Sequence, residues 1–337
     1  MNKPHLTRPH LILGIGELLW DVLPEGERLG GAPANFAVMA GRLGNHAAIL
    51  SRIGRDALGR RAVNRLNMDR SNLDRSSVDR LNAAPVDTSL LQIDSTHPTG
   101  CVAVSFTAGE PQYTIQEPAA WDFLELTDEW VQLAERADAV CFGTLAQRNT
   151  ASRQTIQTLA AETSSSCQRV FDVNLRAPFY SGETIEESLE LATVLKMNEE
   201  ETPLLLNLLG LAADAQTPQD GTRAGSGSLR ANAQTLLEEF PHLNLVAITR
   251  GARGSLLITR EEWNEHPGIT VKVADPVGAG DAFTAALVHY LLRGAGLATL
   301  NQAGNRWGGW MASQSGAMPD LPDSVRDAIS AHIECAG

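Results

Sequence analysis

Nine residues, Asp275-Pro276-Val277-Gly278-Ala279-Gly280-Asp281-Ala282-Phe283, carry the densest chemistry in this chain. A β-like run, Thr270–Val273, leads into them and an apolar helical stretch, Ala282–Leu292, follows. A Gly-rich turn that opens a helix leaves the first main-chain N–H groups, here those of Gly278, Ala279, Gly280 and Asp281, without helical partners at the positive end of the dipole. Such a turn holds an anion, and small residues let a phosphoryl group approach closely. An aspartate inside an anion site is electrostatically unfavourable, so Asp281 needs a further reason to be there. One is to cap the helix. The other is to act as the general base for a hydroxyl that attacks phosphorus. No G-x-x-x-x-G-K-[ST] motif occurs, so a Walker-type lysine cradle is not predicted.

The elements that must position this turn alternate in type. Short apolar runs (Leu11–Ile15, Ala47–Ile53, Ala139–Phe142, Arg169–Val173, Thr193–Met197, Leu245–Thr249, Ser255–Ile258) read as strands, and amphipathic stretches (Asp128–Ala137, Ser152–Ala161, Glu183–Leu191, Ala231–Phe240, Leu300–Ser313) as helices. Near-continuous apolar strands separated by helices predict a doubly wound α/β fold with a mostly parallel sheet covered on both faces. Two stretches break the rhythm. Thr88–Ile115 holds three β-like segments (Ser89–Ile93, Cys101–Phe106, Gln112–Ile115) and no helix, which predicts a small β lid over about 88–116. Residues 212–230, rich in Ala, Gln, Gly, Ser and Thr, read as a mobile loop. Gly14-x-Gly16 is not a dinucleotide fingerprint, since Leu19 stands where the third glycine belongs.

Composition narrows the partners. With 27 Lys plus Arg against 40 Asp plus Glu the formal charge is −13, which argues against a nucleic-acid partner. No apolar run reaches the ~18 residues of a membrane span, and the N-terminal stretch lacks a signal-peptide pattern. Four widely spaced cysteines (Cys101, Cys141, Cys167, Cys335) and eight histidines without zinc-site spacing suggest neither disulfides nor a zinc site. A cytoplasmic protein is expected. Trp307 and Trp310, at helical spacing, read as packing residues.

Several motifs together resemble the ribokinase-like (PfkB) carbohydrate kinases. The segment Asp275 to Phe283 is similar to their C-terminal signature. Gly30-Gly31-Ala32-Pro33-Ala34-Asn35, Leu43-Gly44 and Ile53-Gly54-Arg55-Asp56-Ala57-Leu58-Gly59 are similar to their N-terminal one. Lys196-Met197-Asn198-Glu199-Glu200-Glu201 resembles K-x-N-x-x-E, and Thr249-Arg250-Gly251-Ala252-Arg253-Gly254 resembles T-x-G-x-x-G. Any one of these is weak, but five in the family's order across nearly the whole chain are strong. Phe171–Arg176 and Gly143–Arg148 look most like the fructokinase branch.

The resemblance implies a single three-layer α/β/α domain over 1–337, with 22–30 as a second contributor to the lid, and transfer of the γ-phosphoryl group of ATP to a small sugar. It implies Asp281 as base, with the amides of Gly278, Ala279 and Gly280 stabilising the transferred group. Asp21, Gly30, Gly31, Asn35 and Arg148 would bind the sugar. Arg176, Lys196, Asn198, Thr249, Gly251, Gly254 and Asn305 would bind the nucleotide. Glu201, with Asn198, would hold Mg²⁺ through water, and Asp275 would suit the K⁺ that the family frequently uses. Read locally, Asp21 ends a strand, Asn35 caps a helix, Arg148 is a surface or capping residue, and Asn198 with Glu201 starts a helix. The expected enzyme is a monomer or homodimer taking a fructose-like ketohexose first. The alternatives are ribose, a sugar acid, a nucleoside, or a regulator that binds sugar or nucleotide without transfer.

Overall fold

The computed structural model describes residues 9–23, 26–68, 86–107, 110–212 and 225–334. Its main sheet is built from β1 (Leu11–Ile15), β4 (His46–Leu50), β9 (Ala139–Gly143), β10 (Gln168–Asp172), β11 (Val194–Asn198), β12 (Leu245–Thr249), β13 (Ser255–Ile258) and β14 (Trp263–His266). The order across the sheet is β14-β13-β12-β11-β10-β9-β1-β4. The six strands from β4 to β12 run parallel, and β13 and β14 close the far edge antiparallel. These parallel strands are apolar at nearly every position because both faces are covered.

Alternate side chains feed two cores. Leu13, Ile15, Val140 and Phe142 point to one face, where α3 (Asp128–Glu135), α4 (Thr150–Ala161), α5 (Gly182–Leu191), α6 (Glu201–Leu208) and α7 (Ser226–Glu239) pack. Ile12, Ala139 and Cys141 point to the other, under α1 (Ala32–Arg42), α2 (Ala57–Met68), α8 (Ala279–Leu291), α9 (Leu297–Ala312) and α10 (Asp323–Glu334). Thr127, Asn149 and Ser181 each accept an N–H of the first turn of α3, α4 and α5, which fixes where those helices start. Trp307 is fully buried and meets Trp310 edge-on at 5.7 Å, as packing residues would.

A second sheet, β3-β2-β7-β8, stands off the C-terminal end of β1. It joins the hairpin β2 (Leu19–Leu23) and β3 (Gly26–Gly30) to β7 (Gly100–Thr107) and β8 (Glu110–Ile115). Half of it therefore comes from 19–30. Ser89–Ile93 lies elsewhere: β5 (Arg52–Gly54) pairs with β6 (Gln92–Asp94) in a separate parallel pair, because Arg52 engages Asp94 and Glu125. Thr270–Val273 is not a strand but irregular backbone, since β14 has already closed the sheet edge. Of the expected loop 212–230, residues 226–230 are the first turns of α7, and 213–224 lie outside the described residues. Among the described residues no helix is long and apolar enough to cross a membrane, and Cys101, Cys141 and Cys167 are free thiols. Cys335 lies outside the described residues.

Candidate active site

Parallel strands carry their following loops to one end of the sheet, and a ligand cleft is expected there. Glu17 and Asp21 follow β1, Asp172 ends β10, and Asn174 and Arg176 lie just beyond it, while Lys196 lies within β11 and Thr249 ends β12. Apart from Asp172, which accepts from Lys196, these residues and the start of α8 line two lobes that meet at Pro276 and Gly280.

One lobe, about 530 Å³, lies under the small sheet and is lined by Asp21, Gly31, Asn35, Arg176, Lys196 and Asp281 among others. The second, about 350 Å³, is lined by Thr249, Gly251, Gly254 and Asn305, with apolar walls from Ile269, Val271 and Phe283. A polar lobe suited to hydroxyls thus adjoins an apolar slot suited to a flat ring. Asn305 reaches its wall with the amide already engaged, donating to Ser255 Oγ and to the Asn301 carbonyl.

Asp281 lines the first lobe from the first turn of α8, directly after Gly280, which borders both. Gly278 caps that helix with φ 79°, a left-handed geometry that favours glycine, and a Cβ there would collide with Ala317. The expectation of four free amides is reduced, because Ala279 N–H turns back to the Pro276 carbonyl at 3.2 Å. Those of Gly278 and Gly280 have no such partner among the described residues.

Asn35 Nδ2 donates to Asp281 Oδ2 at 2.7 Å and so holds the carboxylate in place. Burial pushes the Asp281 carboxyl up to about 6, and the Asp172 charge adds to this; Asn35, Lys196 and Arg176 pull the other way. That range suits a base that must be ionised near neutrality yet still accept a proton.

Lys196 faces the same point from β11. A Cβ on Gly280 would lie 3.0 Å from its Nζ, so the ammonium lies against the anion turn. It donates to Asp172 Oδ1 at 3.0 Å, and Asp172 Oδ2 accepts from Thr284. Burial alone would lower the Lys196 ammonium, but Asp172, Glu201 and Asp281 outweigh it and hold the group above its usual value. Arg176 lines the cleft from an exposed position, within electrostatic reach of Asp21, Glu17 and Asp281.

Three expected contacts are placed differently. Asn198 Oδ1 accepts the N–H groups of Glu200 and Glu201, and so caps α6 rather than lining either lobe. Each Glu201 oxygen takes a main-chain N–H, from Leu175 and from Asn198 at 2.8 Å, which fixes the loop carrying Arg176. Arg148 does not line the cleft: its guanidinium makes a bidentate pair with Asp122 at 2.7 Å and lies 4.0 Å from the Trp121 ring. Both partners are 4% exposed, so Arg148→Ala would strand a buried carboxylate. Urea unfolding is expected to show a loss of about 3–5 kcal/mol, with the sugar KM of the folded fraction unchanged. A raised KM at unchanged stability would return Arg148 to the site.

Sequence reasoning missed Glu17, which is 3% exposed. Its Oε1 accepts Ala32 N–H at 3.0 Å, and Oε2 has no partner among the described residues. Burial pushes this carboxyl up to about 7. A charge interrupting the apolar run Leu11–Trp20 was the available signal. Asp172, ending an apolar strand, gave a similar one.

The pfkB family carbohydrate kinase pattern matches residues 25–324. A Pyrococcus horikoshii protein described as an uncharacterized sugar kinase is 31% identical over 304 residues, covering 85% of this chain and 84% of its own. Its crystal structure with ATP superposes with a TM-score of 0.70 at 29% identity, covering 91% and 94% of the two chains. The Escherichia coli fructokinase is 29% identical over 334 residues, 91% of this chain and 95% of its own. The Vibrio cholerae fructokinase, solved with fructose, ADP and calcium, superposes with a TM-score of 0.72 at 25% identity, covering 95% and 98%. With the family pattern over 25–324 and these relatives across nearly its full length, the chain belongs to the pfkB family of carbohydrate kinases.

Proposed function

We propose that this kinase transfers the γ-phosphoryl group of ATP to the primary hydroxyl of a fructose-like ketohexose. The observation that supports the reading most is the position of Asp281 in the polar lobe, directly after Gly280, which borders both that lobe and the apolar slot. The sugar would lie under the small sheet, with Asp21 accepting from adjacent hydroxyls and Gly31 and Asn35 beside it. Gly30 is placed against Asp21: a Cβ there would meet Asp21 Oδ2 at 3.0 Å. The nucleotide would lie along Thr249, Gly251 and Gly254.

Asp281 would take the hydroxyl proton as the oxygen attacks. The N–H groups of Gly278 and Gly280, with Lys196, would face the charge that develops on the phosphoryl oxygens, where fixed donors in a dry site act most strongly. Arg176 would hold the phosphates from the rim. Mg²⁺ carried by ATP supplies charge neutralisation on the phosphates. The residues fit it as a hydrated ion, since both Glu201 oxygens are already engaged and no group of three or more metal-ligating side chains converges among the described residues.

A radiolabelled-ATP screen over ketohexoses, aldoses, sugar acids and nucleosides tests the substrate. Fructose is expected to give the highest kcat/KM, and a nucleoside above every sugar would overturn the choice. The base sets the pH dependence. Asp281 must be ionised, so kcat/KM is expected to rise through about pH 6 and to fall below it. Asn35→Ala removes a bond that favours the ionised form, and should move this limb to higher pH. A profile flat across the acid range would remove Asp281 from the role.

A further inference from the structure

Asp275 opens the anion turn, and its carboxylate already accepts from three donors. Oδ1 accepts the Val277 N–H and Oδ2 the Gly316 N–H, each at 3.1 Å. Oδ2 also takes the guanidinium of Arg28, which reaches across from β3 of the small sheet. A potassium ion placed on this carboxylate would compete with three donors and would stand beside a permanent positive charge. The residues present do not fit the ion that the sequence resemblance suggested for Asp275.

We propose that Arg28 is the resident cation of the phosphate-binding turn, so that this kinase binds its nucleotide without a monovalent ion. Asp275 lies three residues before Gly278, and uncompensated it would oppose the nucleotide's phosphates. Arg28 supplies that compensation from within the chain, and no ion has to be recruited. The same side chain sits on the strand position paired with Asp21, in the register Asp21↔Arg28. Arg28 and Arg176 both act electrostatically on Asp21 against its burial. One guanidinium thus ties the hairpin facing the sugar lobe to the turn facing the phosphates, a coupling that a diffusible ion would not provide.

Two measurements test this, each in KCl and in choline chloride at equal ionic strength. The first is calorimetric binding of a non-hydrolysable ATP analogue with Mg²⁺. The second is the melting temperature without nucleotide, which depends on ion binding to the folded state and not on phosphoryl transfer. Failure of the inference is thereby separable from failure of the substrate reading. The natural protein is expected to bind the analogue with the same Kd within about twofold in both salts and to melt at the same temperature. Arg28→Gln should bind about fivefold or more weakly in choline chloride, with Arg28→Lys, which keeps the charge, between the two. A several-fold gain in affinity or a raised melting temperature for the natural protein in KCl would overturn the proposal. So would Arg28→Gln matching the natural protein in choline chloride. If Arg28→Gln fails to fold, the melting comparison of the natural protein in the two salts still decides.

Discussion

Asp281→Asn is expected to lower kcat about 10³-fold while making the protein more stable at about pH 8. The two effects have one cause. In the unfolded chain this carboxyl ionises near 3.8, whereas in the folded cleft burial and the Asp172 charge delay ionisation to about 6. The folded state therefore carries no penalty below the unfolded value. The penalty grows as pH rises from about 4 to 6 and is complete above that. A neutral amide of the same shape escapes it, which is worth on the order of 1–3 kcal/mol at about pH 8 and nothing at about pH 3. The amide cannot take the hydroxyl proton, so chemistry is lost while the nucleotide slot is unchanged. Single-turnover transfer, analogue binding and chemical denaturation at the two pH values check the three statements. Undiminished transfer would end the assignment of Asp281 as base, and lower stability at about pH 8 would show that its charge is not held against burial.

The architecture was readable because its signals are local. Apolar runs such as Ala139–Phe142 and Leu245–Thr249 are buried on both faces, so each is apolar nearly throughout, and the helices between them keep an amphipathic period. Motif-bearing residues such as Asp281, Gly278 and Thr249 were equally visible, since they sit in short patterns of fixed local spacing. Other parts depend on contacts far apart in sequence. The Asp122 partner of Arg148 is 26 residues away, and the Asp275 partner of Arg28 is 247 away. Nothing near Arg148 distinguishes a basic group bound for a sugar from one bound for a buried carboxylate. The hairpin at 19–30 was underrated because its strands pair mainly with each other and with β7 across an unrelated stretch of chain. Thr270–Val273 has β-branched composition, yet it meets no free sheet edge and stays irregular.

Lys196→Met should separate the structural from the chemical use of one ammonium. Its Nζ is bonded to Asp172, and both side chains are below 10% exposed. Removing the charge leaves Asp172 with a buried, uncompensated carboxylate, and the expected loss of stability is about 3–5 kcal/mol. It also removes the only positive charge shown packed against Gly280 among the described residues, where the transferred group would carry its charge. One such contribution is worth roughly 10²–10³ in kcat. The single variant mixes the two effects, but the pair Lys196→Met with Asp172→Asn does not. An amide at 172 needs no counter-charge and can still meet Thr284, so stability should return most of the way. Transfer should stay about 10²-fold or more below the natural protein. The Asp172→Asn change also removes a negative neighbour of Asp281, which shifts the acid limb of the pH profile to lower pH. Recovery of both stability and kcat in the double variant would make Lys196 a structural counter-ion with no part in transfer. Recovery of stability alone, with transfer measured at a pH where Asp281 is fully ionised, would place its charge on the moving phosphoryl group, because Lys196 also acts on the ionisation of Asp281 and that route is closed there.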